Sequence, residues 1–224
     1  NLNNPNQDDF NRELYSSFKL AAEKLIINFS NNNKKDYFIM RLFNIYGNSM
    51  DEFSFIENII NSKKNNRKIN LINNGNSIRD FIHVKDVAKI YKRIIEKKIE
   101  NGIYDLGTGN GYLIKDIIDF SNFSKSKIIK INNINEIHNS IAQNKNLIKV
   151  LKNYKFLNLG KYLKQKLRIN KKTIRPILNY TNETRKSIIN GVVIYGVGYA
   201  GKQIYHELKK NNEDILFFVD DNLK

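Results

Sequence analysis

The feature that most constrains the fold is an alternation of helical periodicity with short apolar runs. Apolar side chains recur every three to four residues over 8–30, which predicts a helix that Asp8 or Asp9 can cap. Further helices are predicted at about 51–63, 85–97 and 112–121, and strands or extended segments at 37–44, 68–72, 80–84 and 102–106. Strands that alternate with helices favour an α/β fold with a largely parallel sheet.

Composition excludes several classes of site. Of the 224 residues, 41% are hydrophobic, enough for a sizeable core in one or two domains. The chain has no Cys, which rules out disulfides and thiolate metal ligands and agrees with a reducing compartment, the cytoplasm. Its three His residues lie far apart, at positions 83, 138 and 206, so no metal site is predicted. Apolar runs such as 215–219 are far too short to cross a bilayer.

The net charge of +16 raises the question of an anionic partner. The excess is mostly Lys, and no helix has an Arg-rich face with interleaved aromatics, so we predict no nucleic-acid binding. Residues 143–190 contain 13 Lys or Arg and one acid, Glu183. Such a block is typical of a solvated, partly flexible surface, and we place a linker at 158–190. Peripheral contact of 143–190 with an anionic membrane is the alternative.

Three motifs follow one another along the first part of the chain. They are Tyr15-x-x-x-Lys19, Arg-Leu-Phe-Asn-Ile-Tyr-Gly at 41–47, and Arg-Asp-Phe-Ile-His-Val at 79–84. Residues at i and i+4 lie on one face of a helix, so Tyr15 and Lys19 should present their polar ends to the same side. A nearby ammonium lowers the pKa of a phenol from its usual value near 10, which would allow the phenol to act as a base.

The ordered motifs resemble the later part of an extended short-chain dehydrogenase/reductase, the family of NAD-dependent nucleotide-sugar epimerases and dehydratases. The resemblance spans residues 8–157. It implies an α/β, Rossmann-type domain that lacks its N-terminal half, and we place this domain, with its substrate-binding region, at 1–157. The glycine-rich NAD loop of the family is absent before Tyr15. Because both ends of the chain look cut, we expect a piece of a longer protein that is inactive by itself.

The resemblance also implies roles for single residues. Tyr15 would be the catalytic acid/base, and Lys19 would lower the pKa of that tyrosine, both of them contacting NAD (or alternatively NADP). Phe43 would lie near the nicotinamide, and Asn44 would hydrogen-bond the nucleotide sugar. Arg79 would bind the diphosphate, which suits a planar guanidinium that meets two phosphate oxygens at once.

The residues alone leave simpler interpretations open for each position. Tyr15 could be a tyrosine on a half-buried helix face beside a solvated lysine. Arg79 and Asp80 could form a surface ion pair that closes a turn. Asn44 could be an ordinary turn residue, since Asn tolerates tight backbone geometry.

The function implied by the resemblance is NAD-dependent epimerisation or dehydration of a nucleotide-diphosphate sugar. A UDP-sugar 4-epimerase that works through a 4-keto intermediate in surface polysaccharide biosynthesis is one example. The competing class is a non-catalytic module for nucleotide-sugar binding or assembly. The family's dimer contact involves the helix that carries the catalytic tyrosine, so a homodimer is expected.

A second nucleotide-binding pattern begins at Gly191. A predicted strand leads into Gly196-x-Gly198-x-x-Gly201, a helix is predicted over 199–210, and a further strand ends at Asp220. The glycines permit close backbone approach to a pyrophosphate, and Asp220 is spaced to accept from a ribose hydroxyl.

We therefore predict that residues 191–224 form the βαβ start of a second Rossmann domain that binds a nucleotide. This segment resembles the opening of polysaccharide-biosynthesis nucleotide-sugar dehydratases. Two alternatives remain: an α/β turn without a ligand, and a unit that supplies the missing NAD half to residues 8–157. The Gly107–Gly109 segment lacks the third glycine of a dinucleotide fingerprint, and we interpret it as a turn.

Overall fold

The computed structural model describes residues 5–47, 54–97, 99–133, 136–170, 173–179, 190–195 and 218–219. The predicted nucleotide-binding residues of the C-terminal pattern, Gly196, Gly198, Gly201 and Asp220, lie outside these ranges, and their roles stay predictions. Within the described ranges, no helix is both long and apolar enough to cross a bilayer.

Helices and strands alternate along the chain, as the apolar periodicity predicts. The helices are α1 (Pro5–Asn33), α2 (Phe55–Lys64), α3 (Val84–Lys97), α4 (Ile114–Phe120), α5 (Lys145–Leu151) and α6 (Leu159–Leu167). The strands are β1 (Asp36–Leu42), β2 (Asn44–Tyr46), β3 (Ile69–Ile72), β4 (Ile78–His83), β5 (Gly102–Leu106), β6 (Asn110–Leu113), β7 (Ile128–Ile131), β8 (Asn139–Ser140), β9 (Leu178–Asn179), β10 (Asn190–Tyr195) and β11 (Phe218–Val219).

The first sheet has the strand order β11-β10-β1-β5, and all of its pairings are parallel. Four consecutive residues of β1, from Tyr37 to Met40, are buried, which is typical of a parallel strand covered on both faces. On one side β1 pairs with β5, with Leu42 opposite Leu106. On its other side it pairs with β10, with Ile39 opposite Val193. The strand predicted to open a second unit therefore extends the sheet of the first.

A second sheet follows the order β2-β4-β6-β9, with β8 also paired to β4, and β3 pairs separately with β7. The pairings of β2 with β4 and of β3 with β7 are parallel, whereas β6 is antiparallel to β4 and to β9. The helix predicted over 112–121 begins only at Ile114, because residues 110–113 pair with β4. The cap predicted at Asp8 or Asp9 is wrong, because α1 already begins at Pro5.

Two hydrophobic clusters form most of the core. In α3 the buried residues Val84, Val87, Tyr91 and Ile94 recur at helical spacing and cover β1 and β5. The second cluster joins α2, α4 and α6, and its members include Ile56, Ile59, Ile117, Leu159 and Leu163.

Helix α6 lies inside the stretch predicted as a linker, and for residues 159–167 that prediction is corrected. Leu159 and Leu163 are buried one helical turn apart, and Ile174 joins the same cluster. Asn158 caps the helix by accepting from the backbone N–H of Lys161 at 2.9 Å. The many lysines occupy the solvated side of an amphipathic helix.

Candidate active site

Helix α1 places Tyr15, Lys19 and Glu23 on one face, since they are four residues apart. This face and residues 39–42 of β1 line a cleft of about 160 Å³. The Lys19 ammonium lies 4.9 Å from the centroid of the Tyr15 ring, a cation–π distance, and Tyr15 is 53% exposed. The two side chains that the sequence predicts as the catalytic pair thus meet at an open cleft.

A partly buried ion pair connects the helix of Tyr15 to the end of β1. Arg41 donates from Nε and Nη2 to the two carboxylate oxygens of Glu23, at 2.8 and 2.7 Å. Glu23 is buried, and its hydrogen bond with Arg41 raises the pKa of the guanidinium above its ordinary value. A bidentate pair of this kind fixes both distance and orientation. This ion pair was not predicted from the sequence, although Glu23 lies one turn beyond Lys19 on the same face.

A second cleft, of about 510 Å³, adjoins the first. It is lined by Phe43 and Asn44 together with Asp105 and Ser140, and it shares Arg41 and Leu42 with the first cleft. The Asn44 side-chain amide donates to the carbonyl of Asp80 at 2.9 Å. Phe43 donates its backbone N–H to the carbonyl of Leu106 at 3.2 Å. Phe43 and Asn44 therefore lie beside the Tyr15 cleft, at the point where β1 passes into β2.

Asp80 is a buried carboxylate that holds three backbone segments together. It accepts from the Thr108 backbone N–H at 3.0 Å, the Thr108 hydroxyl at 2.6 Å, the Gly109 N–H at 2.8 Å and the Ala142 N–H at 3.2 Å. Burial raises its pKa, and these hydrogen bonds oppose that shift. A Cβ added at Gly107 would lie 2.6 Å from the Asp80 carboxylate, so the turn needs glycine there.

Arg79 is not among the residues that line the two clefts, although it pairs in register with Ser140 of the second cleft. Its guanidinium pairs with Glu136, and its Nη1 donates to the Ile78 carbonyl at 2.9 Å. Burial lowers the pKa of Arg79, while the Glu136 carboxylate raises it. A surface ion pair between Arg79 and Asp80 is wrong, because Asp80 is fully buried and bonded to backbone amides. The role of Arg79 toward a diphosphate stays a prediction.

His83, at the end of β4, packs in a buried aromatic cluster. Its ring meets those of Tyr46 and Tyr162 edge-on, with centroids 5.0 and 5.3 Å away, and its Nδ1 accepts from the Lys85 N–H at 3.1 Å. Burial, together with the charges of nearby lysines, lowers the pKa of His83 to about 4. His83 is therefore neutral at physiological pH.

We expect the stability of the protein to fall as the pH drops from 7 to 5 because of His83. The unfolded imidazole takes up a proton near its usual pKa of 6.5, whereas the folded one, with a pKa of about 4, does not. The loss amounts to about 2 kcal/mol in the free energy of unfolding over this range. Urea denaturation at several pH values measures it.

The control for this prediction is His83→Gln, which removes the titrating group. Asp80 and Asp86 have raised pKa values and act in the opposite direction, but they do so equally in both proteins. The difference between the two pH profiles therefore isolates His83. Parallel profiles would show that His83 does not titrate differently in the folded and unfolded states.

The first part of the chain is similar in sequence to known proteins. Residues 4–107 match the model of the NAD dependent epimerase/dehydratase family. CDP-abequose synthase of Salmonella typhimurium (strain LT2) is 35% identical over 119 residues, which are 48% of this chain and 40% of that protein. The chain thus spans less than half the length of this curated relative.

Two solved structures show the same architecture. UDP-N-acetylglucosamine 4-epimerase from Methanobrevibacter ruminantium M1, in complex with UDP-N-acetylmuramic acid, has a TM-score of 0.56 at 26% identity. The aligned part covers 69% of this chain and 51% of the epimerase chain. dTDP-glucose 4,6-dehydratase from Bacillus anthracis str. Ames, in complex with NAD, has a TM-score of 0.60 at 17% identity. The aligned part covers 69% of this chain and 50% of the dehydratase chain.

The likeness to the dehydratase is one of fold, which agrees with the predicted α/β, Rossmann-type architecture. The sequence match carries further, because it includes all three motifs, from Tyr15 to residue 84. Residues 4–107, the part of the chain that carries these motifs, are therefore similar to the NAD-dependent epimerase/dehydratase family, which supports the resemblance to the extended short-chain dehydrogenases/reductases.

Proposed function

We propose that this chain is part of an NAD-dependent epimerase or dehydratase that acts on a nucleotide-diphosphate sugar, for example a UDP-sugar 4-epimerase. The observation that carries the proposal is the pair of Tyr15 and Lys19 at an open cleft that adjoins Phe43 and Asn44. Two of the relatives named above are a CDP-abequose synthase and a UDP-N-acetylglucosamine 4-epimerase, which supports the substrate class. A role in surface polysaccharide biosynthesis is part of the proposal.

The residues at the first cleft fit the nicotinamide end of NAD. An exposed phenol and an ammonium stand side by side, and Phe43 offers an apolar surface in the adjoining second cleft. When bound, NAD supplies the hydride acceptor that sugar oxidation requires. Tyr15 and Lys19 would hold this end of the cofactor.

The protein's own groups would handle the proton and the position of the sugar. Tyr15 would accept the proton of a sugar hydroxyl through its phenolate oxygen, and the Lys19 ammonium would stabilise the negative charge on it. The Asn44 amide nitrogen donates one of its two hydrogens to the Asp80 carbonyl, which leaves the amide oxygen available to accept from a sugar hydroxyl. The Glu23–Arg41 pair would hold α1 in a fixed position against β1 during this proton transfer.

The experiment that tests this function uses the natural protein that contains this chain. The protein is mixed with NAD and, separately, with UDP-, dTDP- and CDP-glucose, and the sugar is followed by proton NMR. We expect inversion at C4, or loss of water by way of a 4-keto sugar, with at least one of them. Binding without conversion would instead favour the non-catalytic nucleotide-sugar-binding module. Absence of both binding and conversion would contradict the proposal.

The outer face of α1 supports a homodimer as part of the same proposal. Leu14, Phe18, Leu25 and Phe29 recur at helical spacing and are 41–69% exposed. An exposed apolar stripe of this length is typical of a protein interface. We expect the double substitution Phe18→Glu/Phe29→Glu to convert a dimer into a monomer, measured by sedimentation velocity.

The control for the dimer is Leu20→Glu, which adds charge to another face of the same helix. Leu20 is also exposed, at 52%, so the substitution should leave the dimer intact. A wild-type protein that sediments as a monomer would contradict the proposed interface, as would a dimer that survives the double substitution.

A further inference from the structure

A groove of about 380 Å³ lies between α3 and residues 154–157, and it shares no lining residue with the two clefts of the candidate active site. Its chemistry is therefore independent of the proposed function. The groove is concave and lined mostly by charged side chains.

A buried carboxylate builds the floor of this groove. Asp86 accepts from the Tyr154 hydroxyl at 2.8 Å and from the Leu157 backbone N–H at 2.7 Å. Both bonds tie residues 154–157 to α3. The carboxylate also interacts electrostatically with Lys89, so it offsets part of the positive charge of the groove.

An aromatic ring and a guanidinium form the wall. The Tyr154 ring packs edge-on against Phe156 at 5.1 Å, and the Arg93 guanidinium lies 5.3 Å from its centroid. Arg93 also donates from Nη1 to the Leu151 carbonyl at 3.0 Å. These contacts hold the guanidinium in place, which suits bidentate recognition of phosphate oxygens by its remaining donors.

Two ammonium groups complete the positive charge of the groove. Lys89 and Lys155 line it, and neither has an ion pair or hydrogen bond within the described part of the chain. The acid on the rim, Glu96, pairs with Lys92 at 3.5 Å and compensates that lysine alone. With Arg93, three cations therefore face one concavity against the carboxylate of Asp86, so the net charge there is positive and attracts an anion.

We propose that this groove binds the diphosphate group of a soluble phosphorylated ligand. Three cations around a concave site match the two or three negative charges of a diphosphate, and Arg93 adds the planar fork that phosphate oxygens accept from. A bilayer surface is flat and would leave the floor of the groove unfilled. The concave shape therefore favours a soluble ligand over a lipid headgroup.

The test is a calorimetric titration of the full chain with sodium pyrophosphate at about 0.15 M salt. The double substitution Lys89→Ala/Lys155→Ala should weaken binding about tenfold, since each lost charge contributes up to about 1 kcal/mol. Lys97→Ala, which removes a charge at the end of the same helix, should leave binding unchanged. Both lysines of the double variant are exposed, and circular dichroism checks that the fold is retained.

The remaining measurements test whether pyrophosphate binds in this groove or at another site. Pyrophosphate binding that is unchanged in the Lys89→Ala/Lys155→Ala variant would place the ligand elsewhere and overturn the proposal. No binding by the wild-type chain would overturn it as well. The last measurement is flotation with phosphatidylglycerol vesicles. Binding to vesicles without binding of pyrophosphate would overturn the soluble-ligand proposal and support the membrane contact predicted for 143–190.

Discussion

Replacing Tyr15 with Phe is expected to lower the turnover number of the natural protein by about 10³-fold, while its affinity for the sugar nucleotide changes little. The substitution removes only the hydroxyl that would accept the sugar proton, and general acid–base groups contribute about 10²–10⁴-fold to rate. The ring over which Lys19 lies is retained, so the shape of the cleft is preserved. Steady-state kinetics and calorimetric binding of the sugar nucleotide measure the two quantities separately.

The chain offers a matched control for this prediction in Tyr162. Tyr162 and Lys166 have the same spacing, and the Lys166 ammonium lies 5.5 Å from the Tyr162 ring centroid. The Tyr162 hydroxyl, however, donates to Glu57 at 2.6 Å and lies outside both clefts. Tyr162→Phe should therefore reduce stability and leave turnover nearly intact. Near-normal turnover of the Tyr15→Phe protein would overturn the catalytic assignment.

Replacing Asp80 with Ala is expected to lower the free energy of unfolding by about 3 kcal/mol or more. The substitution leaves the backbone N–H groups of Thr108, Gly109 and Ala142 without their acceptor, and each buried unsatisfied group costs about 1–3 kcal/mol. Asp80→Asn keeps one acceptor oxygen and should lose less. Urea denaturation followed by circular dichroism measures both losses.

The control for Asp80 is Asp36→Ala, at the exposed start of β1. That carboxylate is solvated, and its removal should change stability by less than about 0.5 kcal/mol. An Asp80→Ala protein as stable as the Asp36→Ala protein would show that water replaces the lost acceptor. The turn at Gly107–Gly109 would then not depend on Asp80.

Local periodicity was sufficient to predict most of the elements that position the candidate site. The helix of Tyr15 and Lys19 follows from apolar spacing alone, and the same spacing places both polar ends on one side. The strand predicted at 37–44 follows from its short apolar run, although β1 ends at Leu42 and Asn44 begins β2. Both signals are local, since they involve residues within one or two helical turns or one strand.

The interactions that connect these elements could not be predicted in this way. The Glu23–Arg41 pair spans 18 residues, the Asp80–Ala142 bond spans 62, and neither leaves a periodic signal. Helix α6 was missed for a different reason. Its lysines dominate the composition of that stretch, although the leucines at 159, 163 and 167 have the spacing of a buried face.

The parallel pairing of β10 with β1 has a practical consequence for anyone who shortens this chain. A version that ended before residue 190 would leave one side of β1 with a row of unsatisfied main-chain donors and acceptors. The side chains along that row, from Tyr37 to Met40, are almost entirely apolar. Such a rim recruits strands from other molecules, so shortened versions should precipitate unless the C-terminal strand is added back as a separate peptide.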